Sequence, residues 1–231
     1  MPLLDHFHPP LYPSRQWSGF HSAWATAIAG NLNAFLPEGY FAEPNVHFHI
    51  EVDVASLRKP GAEWPDEFDP ARRWQPTAPT ATIPFAVATD EVEVLVFEAS
   101  GGAVLTGAIE LVSPANKDRP ATRDDFNAKC QSYLKTGIGI LVVDVVTKRW
   151  ADLHAELLAR LDPADPVVPI RSLAATSYRP GSEQLAIWRE LLAVGEDLPT
   201  MPLWLKTGPC LAVDLGTTYQ QVCDMLKIGR S

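Results

Sequence analysis

Residues 103–147 read AVLTGAIELVSPANKDRPATRDDFNAKCQSYLKTGIGILVVDVVT, and the fold turns on this stretch. Its first part, AVLTGAIELVS (103–113), reads as a strand stopped by Ser113-Pro114. A polar loop, PANKDRPATR, leads into a helix expected at about 122–136, with Gly137 as its C-terminal cap. After it, IGILVVDVVT (138–147) is an apolar, β-branched run of the kind found in a strand covered on both faces. Strand, helix and buried strand make a βαβ crossover, so 103–113 and 138–147 are expected to be parallel, with a right-handed connection.

Working outward, EVEVLVFEA (91–99) and 103–113 flank Ser100-Gly101-Gly102, a hairpin signature. Residues 57–91 carry six prolines and no sustained period, and read as a long surface excursion. Before it, HFHIEVDVA (47–55) is expected to be one strand, with His47, His49, Glu51 and Asp53 on a single face. Trp17, Phe20, Trp24, Ile28, Leu32 and Phe35 recur at spacings of three and four, which predicts an amphipathic helix over 17–35, stopped by Pro37 and Gly39. Downstream, Trp150, Leu153, Leu157 and Leu161 predict a covering helix, and 182–193 another short one. LWLKTGPCLAVDL reads as a terminal hairpin, followed by a helix from Thr217 to Lys227 with Thr217 or Thr218 as its cap. The whole is expected to be a single mixed α/β domain: a central sheet flanked by helices, with a Pro-rich insertion and a C-terminal hairpin and helix.

The composition bounds the function. The 231 residues are 46% hydrophobic and 20% charged, ordinary for a globular protein with one sizeable core. The start has no signal-peptide pattern, and IGILVVDVV is too short to span a bilayer. Three widely spaced cysteines match no zinc pattern and suit a reducing cytoplasm, so cytoplasmic placement and no membrane partner are expected. The net charge of -9 argues against a protein held on nucleic acid by electrostatics alone, and requires any such contact to come from a local basic patch.

The chemistry concentrates in two strands and a helix. Glu110 stands among Ile109, Leu111 and Val112, where a carboxylate is costly to desolvate unless it is paired. It is either a strand-end residue reaching solvent or a lysine, or a partner of Asp53 in holding a hard divalent cation through oxygen. Lys129 and Tyr133 share a helical face, with Gln131 beside them. Lys129 is either a surface lysine or the group that stabilises charge on a reacting phosphate and orients a water. Residues 115–135 hold five Lys/Arg against three Asp, so Lys117, Arg119 and Arg123 are candidates to approach phosphates.

IELVSPANKDRP followed by FNAKCQSYLKTGIGILVVDVVT resembles the signature of a bacterial family known as domain of unknown function 4058. GFHSAWATAIAGNLN, LPEGYFAEP, MPLWL and VDLGTTY resemble further parts of it, so the likeness covers nearly the whole chain. That family is similar in turn to the PD-(D/E)XK, or restriction-endonuclease-like, superfamily. The resemblance implies a mixed four-stranded core sheet with flanking helices and an acidic site binding Mg²⁺ or Mn²⁺. It makes Asp53 and Glu110 metal ligands, with Glu51 or Glu43 as an additional acid. The lysine usually found two positions after the second acid is Val112 here, so Lys129, on the following helix, takes its place, with Lys117 as second candidate. Nucleic acid is the implied partner, and pairing of two chains is compatible with the fold type, though no self-complementary face is legible. The rival expectation is a nuclease-like fold without turnover, serving as a binding or regulatory module.

The remaining candidates weigh less. His47 and His49 with a carboxylate could form a zinc site or simply a wet strand face. His21 and His154 read as core histidines, His6 and His8 as unpartnered by spacing, and Asp144 either as a group hydrogen-bonding the loop backbone or as a carboxylate approaching the acidic cluster from the next strand. AVDLGTTYQQV resembles a phosphate-binding strand–turn of actin-like ATPases, which normally opens a large two-lobed domain, but only about a dozen residues follow the turn here. Gly137-Ile-Gly139 lies between helix and strand, the wrong order for a dinucleotide fingerprint.

Overall fold

The computed structural model describes residues 1–48, 50–59, 61–65, 74–85, 103–164, 167–206 and 208–229. The central βαβ unit is present as expected. Strand β4 (Val104–Leu111) runs parallel to β5 (Gly139–Asp144), and helix α2 (Pro120–Lys135) connects them. Gly137 ends the helix with φ +80°, a conformation that favours glycine. A short 3-10 turn over Pro114–Lys117 precedes α2.

Around this unit the described strands form a seven-stranded, mostly antiparallel sheet, order β1-β2-β4-β5-β6-β7-β3. Its other members are β1 (Tyr40–Phe48), β2 (Ile50–Arg58), β3 (Ala81–Pro84), β6 (Leu173–Pro180) and β7 (Gln184–Leu192). A second sheet of two strands, β8 (Thr200–Trp204) and β9 (Cys210–Asp214), is the expected terminal hairpin. Helices α1 (Trp17–Asn33) and α4 (Leu215–Met225) pack with that hairpin on one face. Helices α2 and α3 (Leu153–Leu161) cover the other.

The two faces follow from alternation along the strands. On β4, Ile109 and Leu111 pack with α1, while Ala108 and Val112 pack with α2. On β5, Leu141 and Val143 divide from Ile140 and Val142 in the same way, which is why this strand is apolar throughout. At Gly139 a Cβ would lie 2.1 Å from the Trp204 carbonyl oxygen, so only hydrogen fits between β5 and the hairpin. Asn33 closes α1 onto β1 by donating to Ala42 O (2.8 Å) and accepting from Ala42 N (2.7 Å).

Several expectations require correction. HFHIEVDVA is not one strand: it divides into the end of β1 and the start of β2, which pair antiparallel with His47 opposite Glu51. His49 between them lies outside the described residues. Residues 182–193 are not a helix but β7, paired with β6 through the turn at Gly181. The pair spacings of Leu185, Trp188 and Leu192 suit a helix, but the strand buries Leu185 and Ile187 against the α2 face. Trp150 is half exposed and precedes α3. The cap of α4 is Asp214, which accepts from Thr217 N at 2.8 Å, rather than a threonine. Within 57–91 the chain is not all excursion, since β3 adds to the sheet edge beside β7. The 91–99 strand of the expected hairpin lies outside the described residues.

Candidate functional site

Antiparallel pairing of β2 with β4 matches Val54 to Ile109, and one step along it sets Asp53 opposite Glu110. Alternation turns both toward α2, on the same face as Ala55 and Ala108. Glu110 is 2% exposed, and the Lys129 ammonium reaches it from α2, with Nζ donating to Oε2 at 2.6 Å. That charge-assisted bond offsets the desolvation of the carboxylate. The Lys129 ammonium also lies 5.4 Å from the centre of the Phe126 ring.

Asp53 is held from two sides. Its Oδ2 accepts from Leu111 N at 2.6 Å, and its Oδ1 lies 3.4 Å from His21 Nε2. The same His21 nitrogen is 2.8 Å from the Leu111 carbonyl. His21 therefore bridges a carboxylate and a backbone oxygen, which suits the ring with Nε2 protonated. Burial alone would disfavour its charged form. The Asp53 carboxylate, the Leu111 carbonyl and the charge of Glu110 outweigh it and raise the histidine above its ordinary value.

One turn beyond Lys129, Tyr133 is buried, and its hydroxyl has no hydrogen-bond partner among the described residues. Burial first, then the charges of Glu110, Cys130 and Asp53, push this phenol well above its usual range, so it stays protonated. The cluster thus combines two carboxylates, an ammonium and a neutral phenol on the α2 face of two adjacent strands with a hydrogen-bonded imidazole that reaches Asp53 and Leu111 from α1.

Other candidates lie elsewhere. Lys117, expected to face phosphate, is 3% exposed, and its ammonium donates to Asp144 Oδ2 (2.8 Å) and Val146 O (3.3 Å). It is an internal brace. Asp144 completes that brace by accepting from Val146 N at 3.0 Å. Arg123 binds Glu156 at 2.8 Å and so ties α2 to α3. Arg119 is exposed, 3.9 Å from Asp118. Gln131 does not stand beside Lys129: it accepts from Arg160 Nε at 2.9 Å, toward α3. Glu43 is exposed on β1. The side chains of Glu51 and His47, like all of His49, lie outside the described residues. Among the described residues no three His, Cys, Asp or Glu side chains come together as a metal-holding group. None of the described helices is long and apolar enough to cross a membrane.

His21 was the site residue hidden from sequence reasoning. It sits on the aromatic face of α1, its ring 5.8 Å from Trp17, and so has the pattern of a core histidine. Only the arrival of α1 at the end of β4 brings it to Asp53. His154 is a core histidine, its Nδ1 2.7 Å from Tyr178 Oη. His6 pairs with Tyr219 Oη at 2.7 Å, and His8 with Asp5 at 2.9 Å, so neither is unpartnered. Comparison of the chain with family models, with curated proteins and with solved structures gives no match.

Proposed function

We propose that this chain is a Mg²⁺- or Mn²⁺-dependent phosphodiesterase of nuclease type, with Asp53, Glu110 and Lys129 at its centre. The observation that carries the reading is the 2.6 Å contact from Lys129 to Glu110, formed beside Asp53 on the neighbouring strand. Three residues far apart in sequence meet at one place, and the resemblance to the PD-(D/E)XK superfamily assigned roles to these three. The finer fold reading goes with it. Strands β1, β2, β4 and β5, mixed in direction and flanked by α1 and α2, are taken as the restriction-endonuclease-like core.

The donors fit a hard divalent cation in kind, since Asp53 and Glu110 offer carboxylate oxygen; Asp53 Oδ1 and the Leu111 carbonyl both face His21 Nε2. Such an ion, when bound, supplies positive charge to phosphate oxygens and lowers the pKa of water. The chain's own residues do the rest. Lys129 balances Glu110 and presents a cation to the developing charge of the transition state. His21 and Leu111 N fix the orientation of Asp53. Tyr133 adds a buried, protonated hydroxyl one turn beyond Lys129.

One observation favours the rival, a nuclease-like module without turnover. Val112 is fully buried where the superfamily lysine would stand, and Lys117 is spent on Asp144. Calorimetric titration with Mn²⁺ separates the two. The phosphodiesterase expects binding in the wild type that is lost in both Asp53→Asn and Glu110→Gln, with cleavage of DNA or RNA following the same pattern. Absent binding, or binding indifferent to both variants, leaves the module.

A further inference from the structure

A cleft of about 280 Å³ opens beside the carboxylate cluster, near the lower end of the ~300–1,000 Å³ range for small-molecule pockets. Phe7, Tyr12 and Trp17 form its aromatic wall, and Lys148 and Arg149 its cationic side. Its link to the site runs through one side chain, His21. The ring of Trp17 packs 5.8 Å from that of His21, whose Nε2 lies 3.4 Å from Asp53. Pro114 and Ala115, which also line the cleft, follow Glu110 and Leu111 at the end of the same strand.

The walls are preformed. Asp5 accepts from Thr147 Oγ1 at 2.7 Å and from Phe7 N at 3.0 Å, tying the N-terminal wall to the segment that carries the cations. Phe7 packs on Trp17 at 5.0 Å. Arg149 adopts φ +65°, unusual for a non-glycine residue, and its guanidinium is set by Asp118 at 2.6 Å. The Lys148 ammonium lies over the Tyr12 ring at 5.3 Å, and Tyr12 is 43% exposed. Two cations against one carboxylate leave this cleft locally positive on a chain of net charge -9.

We propose that this cleft is a nucleotide subsite, taking a base on its aromatic wall and the attached phosphate on Lys148 and Arg149. Aromatic faces stack on any base, and flanking cations hold the backbone, which is the recipe for single-stranded nucleic acid. The proposal rests on the phosphodiesterase reading, and gives that site a strand to act on next to its carboxylates.

Thymidine 5′-monophosphate, titrated calorimetrically into the full chain in EDTA, tests it without metal. Saturable binding is expected, at least about tenfold tighter than for inorganic phosphate, and about tenfold weaker in Tyr12→Ala. Lys148→Ala combined with Arg149→Gly, the glycine retaining the backbone at position 149, should cost at least as much. No saturation at millimolar nucleotide, equal affinity for inorganic phosphate, or a double variant like the wild type overturns the subsite. Mn²⁺ binding without nucleotide binding defeats this inference alone. Nucleotide binding without Mn²⁺ binding defeats the phosphodiesterase and leaves the cleft a nucleotide site.

Discussion

Two lysine–carboxylate pairs stand on the neighbouring parallel strands of this sheet, and they are built in opposite senses. In Glu110–Lys129 the carboxylate is the hidden partner, at 2% exposure, and the lysine reaches toward the surface at 18%. In Asp144–Lys117 the ammonium is hidden, at 2%, and the carboxylate is 13% exposed. The second pair is closed on itself, because Val146 serves both partners through its N–H and its carbonyl. Burial nevertheless raises Asp144 above the usual carboxylate value, with Lys117 opposing it. Equal chemistry thus yields a brace in one place and, in the other, a cation at the mouth of an acidic site.

Breaking the brace gives the largest expected effect. Lys117→Met leaves Asp144 without its buried cation and should cost about 3–5 kcal/mol in urea unfolding. Adding Asp144→Asn should recover most of that loss. At the other pair, the proposed phosphodiesterase activity predicts that Lys129→Met reduces Mn²⁺-dependent cleavage of nucleic acid about 10²–10³-fold, equivalent to about 2.7–4 kcal/mol, while Mn²⁺ affinity in calorimetry persists. Loss of both together would make Lys129 a brace like Lys117.

The closed side also holds a pH dependence. His154 shares a small cavity with Asp144 and Arg189, and burial, then the Arg189 charge, push it down to about 4. The unfolded chain takes up that proton near pH 6.5, and the fold refuses it until about pH 4. Stability should therefore fall as pH drops through this window, by about 2–3 kcal/mol from this residue. Denaturation curves of His154→Gln should show a shallower fall over the same range. The smallest effect belongs to the surface: Arg123→Ala, which breaks the bond to Glu156, should cost only about 0.2–1 kcal/mol and leave Mn²⁺ binding unchanged.

Legibility in the sequence followed the strength of each local pattern. The β4–α2–β5 unit was readable because Gly137, Ser113-Pro114 and the apolar run of β5 all point the same way. Strands β6 and β7 were not, since LAATSYRP offers small and polar residues rather than an alternating apolar code, and QLAIWRELL satisfies a helical period as well. The break in HFHIEVDVA was invisible because no glycine, proline or asparagine marks it. In the candidate site, Glu110 was conspicuous as a charge in an apolar strand, and Lys129 with Tyr133 followed from helix spacing. His21 and the fate of Lys117 depend on how distant elements dock, which no local pattern encodes.

The approach of the Trp204 carbonyl to Gly139 has a consequence for how this chain can evolve. Its contact is with backbone, so no exchange of a side chain at position 204 can make room for a larger residue at 139. Divergence there requires the whole terminal hairpin to move away from the sheet. Position 139 is thus locked: the residue has no single-step neighbour that preserves the packing.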